Sequence, residues 1–210
     1  MTNRKNLKPI ARLRVFGLCL ALCGVLWAVG TTSGSLAQTK AGGENPAKSY
    51  FTDVELVNQN GQSMRFYSDL LQDKVVIINS FFTTCTSVCP PMSRNLEKVQ
   101  EWLGDRLGKD VHIISISVDP VTDTPPMLKD YARKFNARPG WYFLGGKKAN
   151  VETALRKLGQ YVEARDDHTT VMIIGNLRTG LWKKAFGMAK PDELVKVVDS
   201  VLNDTGEAAK

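Results

Sequence analysis

Residues 75–91 read Val75-Val76-Ile77-Ile78-Asn79-Ser80-Phe81-Phe82-Thr83-Thr84-Cys85-Thr86-Ser87-Val88-Cys89-Pro90-Pro91. The run Val75–Phe82 is largely apolar and of strand length, as expected of a central parallel strand buried on both faces. Proline is tolerated in the first helical turn, where its missing N–H is not needed, so a helix should open near Pro90-Pro91. Two thiols therefore sit between the end of a buried strand and a helix N-terminus. In open α/β sheets that crevice is where ligands bind. The position predicts thiols that are exposed, close to positive backbone dipole and readily deprotonated. The thiolate is the form that binds metal or attacks a disulfide.

Outward from this stretch, helical and strand patterns alternate. Before it, Tyr50–Val57 and Ser63–Tyr67 flank Asn60-Gly61, a strong hairpin signal. After it, Leu96, Val99, Trp102 and Leu103 recur at helical spacing, and Gly104 or Gly108 ends that helix. His112–Val118 reads as a second strand. Thr124 can cap a helix with Pro125 at its first position, carrying Met127, Leu128, Tyr131 and Phe135. Trp141–Leu144 is a third strand. The stretch Val151–Val162 contains a helix with Ala154, Leu155 and Leu158 on one face. Thr169–Ile174 is a fourth strand, Leu181–Phe186 its hairpin partner, and Pro191 opens a last helix with Leu194, Val197, Val198 and Val201 inward. The pattern is α/β, with a mixed central sheet flanked by helices and an N-terminal β-hairpin.

The N-terminus reads differently. Arg4, Lys5, Lys8, Arg12 and Arg14 precede an apolar run, Val15–Val29, and no acidic residue appears before Glu44. Ser35-Leu36-Ala37 offers small residues where an export signal is cut, so residues 1–37 are expected to be a bacterial signal peptide cleaved after Ala37. The apolar run is short for a membrane span of about 20 residues, and an uncleaved anchor is the alternative. Cys19 and Cys23 lie in the apolar run and would leave with it. Leu22 is too bulky for a lipoprotein site at Cys23. Residues 38–48, polar and glycine-rich, read as a tether, and 49–204 as the folded domain.

The charge balance comes mostly from the signal. Lys+Arg is 28 and Asp+Glu 21. Removing five basic and no acidic residues leaves 23 against 21, a net of +2. That is no nucleic-acid footprint. The chain beyond the signal suits one domain with a full core. Nothing suggests an extended interface, so a monomer meeting partners transiently is expected, near a membrane if the N-terminal segment is kept.

Without Cys19 and Cys23 the chain has two cysteines. A bridge between Cys85 and Cys89 would close a loop so small that it removes little chain entropy. A redox or metal role is the better reading. A strand, a two-cysteine loop and a helix is also the layout of thioredoxin-like proteins. With three intervening residues the thiols can lie on one side of a helical turn. Thiolates select Cu(I), zinc or iron–sulfur centres. Structural zinc wants four protein ligands and iron–sulfur clusters usually four cysteines. Two Cys and one His suffice for Cu(I), which the ligand count favours, although carboxylates could complete a zinc site. If the 169–174 strand runs antiparallel to the 75–82 strand, its start lies beside the Cys85 loop. His168 would then be near and His112 distant. On spacing alone His168 could equally be a surface histidine in a charged loop.

Three stretches in order resemble the Sco/SenC family, copper proteins related to thioredoxins and peroxiredoxins. They are Thr84-Cys85-Thr86-Ser87-Val88-Cys89-Pro90, Ser117-Val118-Asp119-Pro120-Val121-Thr122-Asp123-Thr124-Pro125, and Asp167-His168-Thr169 heading an apolar strand. The resemblance covers roughly 49–202. It implies a thioredoxin-like fold and copper, as Cu(I) or Cu(II), on Cys85, Cys89 and His168. It further implies copper loading at the binuclear site of cytochrome c oxidase subunit II in the periplasm. The resemblance equally implies, from other relatives, a thiol–disulfide reductant for that site, which would make Cys85 and Cys89 a catalytic redox pair. Many members carry Pro-Asp-x between the cysteines, where this chain has Thr86-Ser87-Val88, so local charge differs. Thioredoxin-type enzymes face their cysteines with a cis-proline. The corresponding Asp167-His168-Thr169 has none, which favours copper. A peroxidase is disfavoured because Phe82 stands where peroxiredoxins have proline. Asp119 and Asp123 are expected to serve as an Asx turn and helix cap before the 124–135 helix, rather than to orient the thiolates.

Overall fold

The computed structural model describes residues 45–207. The proposed signal, Cys19, Cys23 and most of the 38–48 stretch lie outside the described residues. Among the described residues, no helix is long and apolar enough to cross a membrane.

Strand β3 (Val75–Phe81) is buried at every position, and the two-residue period sends alternate side chains to opposite faces. Val75, Ile77 and Phe81 join one apolar cluster, while Val76 and Ile78 join the other. The remaining strands are β1 (Glu55–Asn58), β2 (Ser63–Arg65), β4 (Val111–Ser117), β5 (Trp141–Gly145), β6 (Val171–Asn176) and β7 (Trp182–Phe186). They form one sheet in the order β2-β1-β5-β4-β3-β6-β7. β3, β4 and β5 are parallel; the outer pairings are antiparallel. This is the mixed, helix-flanked sheet with an N-terminal hairpin that the sequence pattern implies.

Helices cover both faces. On the first, α2 (Cys89–Leu103) contributes Met92, Leu96, Val99 and Leu103. There α3 (Pro125–Lys134) adds Leu128 and Tyr131, and α5 (Pro191–Leu202) adds Leu194, Val198 and Val201. On the second face lie Phe51 of α1 (Pro46–Phe51), a π-helical turn at Phe66–Leu71, and Val151, Ala154 and Leu155 of α4 (Lys148–Lys157). Each fully buried aliphatic side chain contributes about 1.5–3 kcal/mol, so the two clusters clamp the sheet that carries the cysteine loop. α2 ends at Gly104, whose φ of 56° suits a residue without Cβ. At Gly187, after β7, a Cβ would lie 2.8 Å from Met92 Cγ and 2.9 Å from the Thr170 carbonyl. Its absence lets the β6–β7 end close onto the first turn of α2.

Several boundaries differ from the sequence reading. Tyr50 and Phe51 are helical, not strand. Pro46 begins α1 inside the stretch read as a tether, because Asn45 Oδ1 accepts the Ala47 N–H at 3.0 Å and proline fits the first position. Phe66 and Tyr67 leave the hairpin for the π-helical turn, where Asp69 accepts from the Arg65 backbone and guanidinium. Helix α4 starts at Lys148, before Val151, and β6 starts at Val171, after Thr169. Thr124 occupies the N-cap position of α3 but makes no side-chain capping bond.

His112 sits at the start of β4, paired with Val76, at the sheet end opposite the cysteine loop. It is buried, and its Nδ1–H donates to the Leu70 carbonyl at 2.9 Å. Burial holds its pKa below the usual 6.5. The unfolded chain therefore takes up a proton first, and this group's contribution to stability falls as pH drops from 6.5 towards the depressed folded value. His112→Asn should flatten that part of the stability–pH curve, measured by urea unfolding between pH 7 and about 5.

Candidate metal centre

The cysteine loop leaves β3 at Phe82 and is held from beneath by a buried carboxylate. Asp123 accepts the Thr83 N–H at 3.1 and 3.2 Å, the Thr83 hydroxyl at 2.5 Å and the Ser117 hydroxyl at 2.6 Å. Burial raises its pKa above 3.8 despite these bonds. Asp123 is thus no helix cap; it ties the loop to the end of β4. Asp119 does form the turn expected of it, accepting the Thr122 N–H, and its carboxylate also pairs with Arg165 at 2.5 Å.

Cys85 lies in the loop, where its N–H donates to the Phe82 carbonyl. Cys89 is the first residue of α2, followed by Pro90 and Pro91. The two are therefore not on one side of a helical turn as expected. Instead the Cys89 N–H donates to Cys85 Sγ at 3.4 Å, and Ser87 Oγ lies 3.8 Å from the same sulfur. Both are free thiols and neither is exposed: Cys85 is 7% accessible and Cys89 0%. Expected exposure fails because both cysteines belong to the same buried apolar cluster as Phe81, Phe82 and Met92. The two thiols also differ in acidity. Burial works against the Cys85 thiolate, but hydrogen bonds from Cys89 and Ser87 outweigh it and leave its pKa below the usual 9.0. Burial, reinforced by the bond to Cys85, pushes the Cys89 thiol up. The expected lowering of the thiol pKa holds for Cys85 and not for Cys89.

The third donor comes from across the sheet. β6 is antiparallel to β3, and Ile78 pairs with Ile173. β3 ends at Phe81 and β6 begins at Val171, so the chain leading into β6 lies at the same end of the sheet as the cysteine loop. A 3₁₀ turn at Arg165–Asp167 presents the His168 imidazole. Its Nδ1 lies 3.0 Å from the Arg165 carbonyl, an acceptor only, so Nδ1 carries the proton and Nε2 offers its lone pair. Nε2 is 3.1 Å from Cys89 Sγ. The ring meets Phe82 edge-on at 5.2 Å, and the Arg165 guanidinium lies 5.1 Å from the centre of the Phe82 ring. Arg165 thus braces the histidine turn against the Asp119 loop.

The donor atoms of Cys85, Cys89 and His168 all lie within 4.8 Å of one another, and among the described residues no carboxylate joins them. Two sulfurs and one imidazole suit a soft ion of low coordination number better than zinc, which wants a fourth ligand. The surface-histidine reading of His168 does not describe this packing. Sequence reasoning missed two supports. Asp123 stood within a quoted motif but looked like a cap; Arg165 carried no signal at all.

A family model described as SCO1/SenC matches residues 42–203. The chain belongs to the SCO1/SenC family. It is 30% identical over 124 residues to an SCO2-like protein of Rickettsia felis, covering 58% of each chain. The match thus spans little more than half the length of that relative. Two solved structures share the fold. Bradyrhizobium japonicum ScoI, with copper bound, is 26% identical with a TM-score of 0.59, over 70% of this chain and 96% of that one. BsSco, described through a disulfide switch and as a member of the Sco family of cytochrome c oxidase assembly proteins, is 27% identical with a TM-score of 0.59. That match covers 72% of this chain and 92% of the other. The thioredoxin-like architecture of this SCO1/SenC protein is shared with these relatives.

Proposed function

We propose that this SCO1/SenC protein is a copper metallochaperone that holds Cu(I) on Cys85, Cys89 and His168. It would deliver the ion to the binuclear copper site of cytochrome c oxidase subunit II. The observation that carries the reading is the gathering of three soft donors within 4.8 Å, with His168 Nε2 oriented by the Arg165 carbonyl. The copper-bound ScoI relative supports the choice of ion, and the oxidase-assembly description of BsSco supports the recipient. A three-coordinate site leaves a position for a partner thiolate, so copper can pass by ligand exchange without release. The basic, acid-free N-terminus supports a periplasmic location, reached by cleavage after Ala37 or by retention of the segment as an anchor.

A second reading rests on the two adjacent thiols and on the disulfide switch described for BsSco. Cys85 would attack a disulfide of the recipient and Cys89 would resolve the mixed species. A Cys85–Cys89 disulfide cannot bind Cu(I) as a thiolate pair, so the two activities exclude each other at any moment.

The test uses the reduced full chain with Cys19 and Cys23 replaced by serine, a chromophoric Cu(I) chelator as competitor, and a purified apo subunit II copper domain as recipient. One-to-one binding is expected, weakened at least tenfold in His168→Ala, with copper appearing on the thiol form of the recipient. Binding no better than that of Cys85→Ser/Cys89→Ser would overturn the chaperone reading. Reduction of an oxidised recipient, with a Cys85–Cys89 disulfide formed, would favour the reductase.

A further inference from the structure

Exchange of copper brings a foreign sulfur up to the ion beside Cys85, a residue that is itself buried. A cavity of about 480 Å³ opens beside the loop, lined among others by Thr83, Thr84, Cys85, Thr86, Arg94 and Lys134. Neither Cys89 nor His168 lines it, and no acidic side chain does. Arg94 comes from α2 and Lys134 from the end of α3, so two helices each bring a cation to one opening. Both charges rest on aromatic rings: Arg94 5.9 Å from the centre of Phe135, Lys134 6.0 Å from that of Tyr131. Tyr131 is fixed in turn by its hydroxyl contact with Ser93 at 3.2 Å. Among the described residues neither cation forms an ion pair, whereas Arg65, Lys98, Arg133 and Arg165 all do. The insert Thr86-Ser87-Val88 is uncharged, so nothing between the cysteines cancels this field.

We propose that this cavity receives an acidic, cysteine-bearing segment of the protein that exchanges copper with the chain. Its carboxylates would meet Arg94 and Lys134, and its sulfur would meet Cys85. The inference rests on the copper-exchange reading and names the chemistry of its partner.

The experiment reads docking without metal. The full chain carries Cys19→Ser, Cys23→Ser and Cys89→Ser, leaving Cys85 as the nucleophile. Two synthetic hexapeptides, one with glutamates flanking a cysteine and one with glutamines, are supplied as mixed disulfides with 2-thiopyridine. The Cys85 thiolate attacks the peptide sulfur and a new sulfur–sulfur bond forms. The bond to thiopyridine breaks, and pyridine-2-thione leaves with the electron pair and reports the rate. At low ionic strength the glutamate probe should react about tenfold faster, as two exposed ion pairs allow. The preference should shrink with salt and fall to about twofold or less in Arg94→Gln/Lys134→Gln. The glutamine probe, reacting at an unchanged rate with that variant, shows the cavity intact. Equal rates for the two probes, or a preference that survives the double substitution, would overturn the proposal. So would the same preference from mercaptosuccinate alone as the activated disulfide, which would assign the cavity to a small anionic thiol. Because no metal is present, failure here is distinct from failure to bind copper.

Discussion

Cys89→Ser, in the reduced full chain, is expected to lower Cu(I) affinity by more than a hundredfold. Cys89 Sγ lies 3.1 Å from His168 Nε2 and receives the cover of the α2 first turn, so it is the shared corner of the donor set. Losing a group that merely orients a ligand costs about 10–100-fold in metal affinity; losing a thiolate for a hard hydroxyl costs more. Serine is nearly the size of cysteine, so thermal unfolding should change little by comparison. The raised pKa of Cys89 adds a second signature. At neutral pH its thiol is protonated, and binding of Cu(I) must expel that proton. Affinity should therefore rise at least tenfold per pH unit through the neutral range, and Cys89→Ser should take one proton out of that dependence along with the tight site. A competition titration at three pH values measures both. A loss under tenfold, or a pH slope unchanged in the variant, would remove Cys89 from the ligand set.

Asp123→Ala should cost about 2–4 kcal/mol, because the Thr83 N–H and the Thr83 and Ser117 hydroxyls lose their acceptor in a buried place. For a domain of this size that is a fall of about 5–15 °C in Tm. Asp123→Asn keeps an acceptor and should lose less. The charge itself works the other way. The folded carboxyl has a pKa above 3.8, so its contribution to stability is greatest below that value. The contribution declines as pH rises towards the folded pKa and is level above it. At neutral pH, then, asparagine and alanine both escape the cost of a buried charge, so the margin between them is set by the acceptor that asparagine keeps. Since Thr83 begins the cysteine loop, Asp123→Ala should also weaken Cu(I) about tenfold, as loss of an orienting group does. Thermal unfolding and the copper titration on the same sample separate this from a surface substitution, which would move neither.

The elements that local chemistry encodes were legible. The apolar run became β3, prolines 90, 125 and 191 stood in the first turns of α2, α3 and α5, and Asn60-Gly61 closed the β1–β2 hairpin. Errors fell where neighbours decide. Asn45 could cap a helix only because Pro46–Phe51 packs back on the second face of the sheet. Phe66 and Tyr67 alternate like a strand yet turn inward as a π-helical segment once both are buried. Three-residue spacing suggested two thiols on one helical face, but spacing does not say where a helix begins.

The local chain pattern alone singled out the candidate donors, their order and the elements that carry them, because period, proline and turn chemistry act over a few residues. Tertiary structure alone decided that His168 reaches Cys89 across 79 residues, since the antiparallel pairing of β6 with β3 sets that distance. It likewise decided that the thiols are buried and unequal in acidity and that Asp123 and Arg165 brace the site. Those properties depend on what surrounds each atom, which no local stretch of chain specifies.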